Sequence, residues 1–117
     1  VRAGRPAAVA PSVRQRTAIA MAERHPDVVA MRASARNTSL APHVRSAALH
    51  EVHRLRDEVC NIILSTAPVI VSSCIGAHQL HEQNVTFPLV VLDEGSQTTE
   101  PALICALAAA KAEQLVI

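Results

Sequence analysis

Between residues 43 and 65 the apolar positions fall at steps of three and four: Leu49, Val52, Leu55, Val59, Ile62 and Ile63. That spacing lays one apolar stripe along a single helix. Arg54 and Glu58 sit one turn apart on it, placed for a surface ion pair. Pro68 closes the helix and the period changes. Val69–Cys74 ("VIVSSC") is short and β-branched, and Leu89–Asp93 ("LVVLD") is a second apolar run. Both read as buried strands, and their continuous apolarity predicts a parallel sheet covered on both faces. Residues 75–88 read as a loop with one helical turn. Residues 99–112 ("TEPALICALAAAKA") predict a helix with Pro101 in its first turn, and "QLVI" opens a third strand.

The first forty residues are less regular. Residues 1–11, with Gly4, Pro6 and Pro11, read as a loop or the end of a strand. Ser12 caps a predicted helix that runs to His25 and is stopped by Pro26. Asp27 caps a second one ending near Arg36. The order helix, strand, loop, strand, helix, strand is an α/β pattern. Three short strands make a small sheet, so the expectation is part of a larger domain. Its divisions are 1–11, a helical region 12–65, and a sheet-bearing portion 66–117.

Composition narrows the function classes. Half of the 117 residues are apolar, enough for a packed core. One Phe and no Tyr or Trp argue against an aromatic platform for stacking bases. Cys60, Cys74 and Cys105 are far apart and odd in number, which points to a reducing compartment rather than a disulfide framework. No secretory leader and no bilayer-length apolar run is present, so a cytoplasmic or nuclear location without membrane partners is expected. The sequons at Asn37 and Asn84 are then chance matches. The pairs His50/His53 and His78/His81 lack further ligands at metal-site spacing and read as surface or loop histidines. Charge is divided along the chain: residues 1–56 carry +7 and residues 57–117 carry −6. A basic half can attract phosphates, and an acidic half can hold a divalent cation.

The apolar run 89–92 ends in two carboxylates, Asp93 and Glu94. In a parallel α/β sheet, ligands bind beyond the carboxyl ends of the strands. In a nucleotide hydrolase this is the Walker B position. There the first carboxylate, Asp93, holds Mg²⁺ through a water, and the second, Glu94, polarises the attacking water. Gln97 is placed to report on a bound phosphate or to link neighbouring motifs. Glu100 puts a negative charge at the favourable end of the following helix.

Three segments carry a family resemblance in a shared order. "VVLDEGSQTTEPALICAL" resembles motif II of superfamily 1 helicases of the nonsense-mediated-decay and senataxin-like group, where the pattern is close to DEAxQxxEP before an apolar helix. "APVIVSSCIGAHQL" resembles the strand and turn before it. "VRAGRPAAVAPSVRQRTA" resembles the segment that precedes the group's helical insertion. The resemblance implies a partial RecA-like P-loop NTPase domain with parallel strands, in which 12–65 is a stalk-like insertion. It implies ATP and Mg²⁺ as cofactors, and single-stranded RNA or DNA and the remainder of a helicase core as partners. Ser72, Ser73, Gly76 and Ala77 match a turn that touches the single strand; Gly4, Pro6 and Ala7 match another. Gly95 stands where the group has Ala and loosens the helix start. No G-x-x-x-x-G-K-[ST] occurs, so the expected enzyme is the parent, an ATP-dependent helicase, with the isolated segment inactive. The alternatives are a catalytically inactive nucleic-acid-binding remnant and a protein-interaction piece using the stripe from Leu49 to Ile63.

Overall fold

The computed structural model describes residues 1–3, 10–37 and 39–117. Its elements are α1 (Pro11–Arg14), α2 (Ala18–Ala22), α3 (Pro26–Ala35), α4 (Pro42–Thr66), a 3-10 turn (Ile75–Ala77), α5 (His78–Glu82), β1 (Leu89–Val91), a 3-10 turn (Gly95–Gln97), α6 (Glu100–Ala110) and β2 (Gln114–Val116). The 25 residues of α4 set the long dimension. At ~1.5 Å per residue such a helix is about 37 Å long. The radius of gyration is accordingly 17.1 Å, against ~13 Å for a compact chain of this size.

Helix α4 begins with Pro42 in its first turn, where a missing N–H costs nothing. It stops at Ala67, whose extended backbone (φ −73°, ψ 124°) is what a residue before proline adopts. The stripe does part of what the spacing predicts: Val52 and Val59 are buried, Leu55 and Ile63 pack beside them, and Leu64, outside the predicted stripe, is buried as well. Its edges differ, with Leu49 46% and Ile62 56% exposed. Arg54 bridges Glu51 and Glu58, the latter at 3.2 Å. These pairs are exposed and add little stability.

The N-terminal helices depart from expectation. The predicted helix 12–25 is two short pieces, because Thr17 leaves the helical path (φ −72°, ψ 143°) and is fully buried. Its hydroxyl donates to the Arg14 carbonyl at 2.9 Å and accepts from the Ala20 N–H at 3.3 Å. The backbone around it pairs with Arg2, whose N–H donates to Arg16 O and whose carbonyl accepts from Ala18 N–H. Thr17, not Ser12, is therefore the effective cap. Pro26 does not stop a helix but opens α3, with His25 rather than Asp27 as its N-cap.

Strands β1 and β2 pair in parallel, with Leu89 opposite Gln114 and Val91 opposite Val116, joined through α6. A further bond, Leu92 N–H to Val116 O at 2.8 Å, carries the ladder to the edge of the carboxylates. The predicted buried strand 69–74 is not one. It makes a single parallel bridge, Val71 with Arg2, flanked by bonds to Val1 and Ala3. Val69 and Val71 are 64% and 56% exposed, while Ile70 and Cys74 turn inward. A buried parallel strand needs neighbours on both edges and layers on both faces. Residues 1–3 supply one edge only. For the same reason β1 is not buried: Leu89 and Val91 are exposed.

Two apolar clusters hold the chain together. One joins Ala3, Ala18 and Leu64 to Ala77, Leu80, Val85 and the small residues of α6. The other packs Ala22, Val28 and Ala35 on Val52 and Val59. Cys60 and Ile63 of α4 touch both. Among the described residues, no helix is long and apolar enough to cross a membrane.

Candidate active site

The ladder of β1 with β2 ends at Leu92, and the next two residues turn sharply away. Asp93 Oδ1 accepts the Glu94 N–H at 3.0 Å. Glu94 has φ 54° and ψ 41°, and its carbonyl accepts the Gln97 N–H at 2.9 Å to close the 3-10 turn. Asp93, Glu94 and Gln97 are all exposed. A left-handed backbone costs a residue with a Cβ about 1–2 kcal/mol. Among the described non-glycine residues two others share it, Asn84 and Lys111, and both lie just past a helix C-terminus, where that conformation is routine. Glu94 lies between a strand and a turn.

Gly95 is not the residue that takes the positive φ. Its role is spatial: a Cβ here would run into Ile117 Cγ2 and sit 3.4 Å from Leu92 Cδ2. Gly95 thus has a packing role that the sequence reading did not include, and nothing in the sequence marks Ile117 as its neighbour. Beyond the turn, Thr98 N–H bonds Gly95 O, and α6 starts with Glu100 and Pro101. Glu100 complements the positive end of that helix.

A second turn carries the predicted strand-contacting residues. Ser73 Oγ accepts the Gly76 N–H at 3.0 Å, and Ser73 O accepts the Ala77 N–H at 3.0 Å. The Ser72 hydroxyl donates to Ser73 O at 3.0 Å. A Cβ on Gly76 would lie 2.7 Å from Ser72 Oγ and 2.8 Å from Ser73 Oγ, so the turn is closed around the missing side chain. Ala77 is buried in the first cluster, and the 75–77 turn packs on α6. The acid turn leads into α6 and the serine turn packs against it, so one helix anchors both. No hydrogen bond joins the two turns among the described residues. Gly4, Pro6 and Ala7 lie outside the described residues.

Hydrogen bonds from Arg54 hold the Glu51 carboxyl below its usual range. Burial, with the Asp57 charge nearby, pushes the Cys60 thiol up. Among the described residues no group of three or more His, Cys, Asp or Glu could by itself hold a metal ion. The His78 and His81 rings are 6.4 Å apart, and His78 leans toward Glu82. Asp93 instead offers one exposed carboxylate oxygen beyond its bond to Glu94. That suits an ion keeping most of its waters and bound chiefly through a nucleotide's phosphates.

No curated protein and no solved structure matches the chain. Residues 29–117 match the model of the AAA domain family, a range that takes in the candidate acid turn, the serine turn and the whole of α4. With more than half of its length inside that match, the chain belongs to the AAA domain family, a helicase-type ATPase family whose domain is found in superfamily 1 helicases.

Proposed function

We propose that these residues supply the Walker B carboxylates and part of the single-strand groove of an ATP-dependent RNA or DNA helicase with a RecA-like core. The observation that carries this is Glu94, an exposed acid held in a strained conformation at the tip of a parallel strand, directly after Asp93. Strain of this kind persists where the surrounding structure enforces it, most often at functional sites. Magnesium bound with ATP supplies charge neutralisation on the phosphates, and Asp93 is the residue to hold its water shell. Glu94 makes no side-chain hydrogen bond among the described residues, which leaves its carboxylate to orient a water and take its proton. Gln97, three residues on, supports the nucleotide site from the same turn.

The serine turn contributes the strand contact. The hydroxyls of Ser72 and Ser73, with the closely packed backbone of Gly76 and Ala77, fit a phosphodiester better than a base, since the turn has no aromatic face. Gly4, Pro6 and Ala7 join this groove on the strength of the resemblance. A phosphate loop and a second domain complete the enzyme as parts of the helicase core.

Glu94→Gln in the full-length protein tests the reading. Turnover should fall by the ~10²–10⁴-fold that a general base contributes, with nucleotide binding retained. Turnover at the parental rate would remove Glu94 from the chemistry.

A further inference from the structure

At the loop end of the helical hairpin, the end of α3 and the first two turns of α4 leave a groove of about 410 Å³. It is lined by Ala35, Arg36, Pro42, Arg45, Ser46 and Leu49, with no carboxylate among them. Four arginines of the basic half are already engaged. Arg32 faces Glu23 at 3.8 Å, Arg56 holds Asp57 at 2.6 Å, and Arg54 is taken by Glu51 and Glu58. Arg24 donates to the Gln15 carbonyl at 2.6 Å. Arg2, Arg14, Arg16, Arg36 and Arg45 have no ion-pair partner among the described residues; of these, Arg36 and Arg45 line one groove, from the end of α3 and the start of α4. The start of α4 brings a positive helix end and the end of α3 a negative one, so the two arginines carry the net charge of the groove.

We infer that this groove is an anion subsite that takes a phosphodiester of a single-stranded nucleic acid. Two guanidinium forks and the Ser46 side chain offer donors to phosphate oxygens, while Leu49 and Pro42 give an apolar wall for a sugar. The subsite is separate from the serine turn. Ser46 and Leu64, which belongs to the first cluster beside Ala77, are 18 positions apart on one helix, or ~27 Å at about 1.5 Å per residue. The inference rests on the proposed function in one respect, that the protein handles single strands.

The test is fluorescence anisotropy with a labelled 20-nucleotide oligouridine, without ATP, across a salt series, on the full-length protein. Replacing Arg36 and Arg45 together by Gln removes two phosphate contacts. For single strands the slope of log K against log salt should fall by about 1.4, with binding ~25-fold weaker at 0.1 M salt. Arg54→Gln, at an arginine already held by two carboxylates, should leave the slope unchanged. An unchanged slope in the double variant overturns the subsite. So does an equal loss in Arg54→Gln, which would make the effect one of general charge. Competition by inorganic phosphate or polyglutamate at matched ionic strength, as effective as unlabelled oligouridine, would also overturn it. If the parental protein binds no strand even at low salt, the proposed function falls with it. If the parent binds and the double variant binds identically, only this subsite is lost.

Discussion

Gly76→Ala tests how tightly the serine turn is built. The new Cβ would lie 2.7 Å from Ser72 Oγ and 2.8 Å from Ser73 Oγ, where ordinary contact begins at 3.4 Å. Both hydroxyls must withdraw by more than half an ångström. For Ser73 this breaks the bond from the Gly76 N–H, 3.0 Å long, which caps the turn. Loss of such a cap costs about 0.5–2 kcal/mol. Ser72 gives up an exposed bond that water replaces, so its share is small. Opposing this, Ala narrows the unfolded ensemble by about 0.4–1 kcal/mol relative to Gly where the native φ suits it, and Gly76 is not at positive φ. The cap loss and residual crowding win, for a net destabilisation of ~0.5–1.5 kcal/mol. In a Ser73→Ala background the hydroxyl is already gone, and the same substitution should cost close to nothing. Urea unfolding of the four proteins of this cycle measures the coupling, expected at about 0.5–1.5 kcal/mol. Additive behaviour, or a stabilising Gly76→Ala in the parental background, would show that the turn is not closed around this position.

Glu94→Gly should raise thermal stability while abolishing turnover: about 1–2 kcal/mol of left-handed strain is relieved, against ~0.5–1 kcal/mol for the freer unfolded chain. A lower melting temperature would show that Glu94 is not strained. Gly95→Ala should destabilise by about 1–3 kcal/mol through overpacking on Ile117, and Ile117→Ala should restore most of it; lack of rescue would assign the cost to another contact. Timed alkylation with peptide mapping should label exposed Cys105 first and Cys60 last. Burial holds the Cys60 thiol above its unfolded value, so the unfolded chain forms the thiolate first and stability falls as pH rises past the ordinary thiol range. Unfolding midpoints should show that decline in the parent and a smaller one in Cys60→Ala.

The long helix and the βαβ unit were legible because each is set by local pattern. The stripe on α4, closed by Pro68, placed both ends to within a residue, and the Pro101 helix between two apolar runs predicted the parallel pair. The segment 69–74 was misread because β-branched composition reports a preference for extended backbone. Burial depends on what covers it, which the segment does not encode. Thr17 was missed for a related reason: its break in the helix is enforced by pairing with Arg2, fifteen positions away, while Ser12 had the better local signal. In the candidate site, the carboxylate pair was visible as an abrupt end to apolarity. The left-handed conformation of Glu94 was not, since a glycine stands next to it and would be the ordinary place for a positive φ.

That adjacency is the strongest physical argument for the acid turn. A chain under no constraint except folding would put Gly at the left-handed position and a side chain at its neighbour, saving about 1–2 kcal/mol. Here the order is reversed. Ile117 Cγ2 explains why position 95 must be Gly. It does not explain why the residue before it is a glutamate in the left-handed region rather than a second glycine or an asparagine. Stability alone selects against Glu at that position, and the loss is a noticeable share of the ~5–15 kcal/mol that holds a domain folded. What Glu offers there and Gly or Asn does not is a carboxylate beyond the end of a parallel strand, with its oxygens turned to solvent and its backbone pinned by Asp93 and Gln97. A break in local preference beside a ready remedy is the physical support for the catalytic role proposed for Glu94.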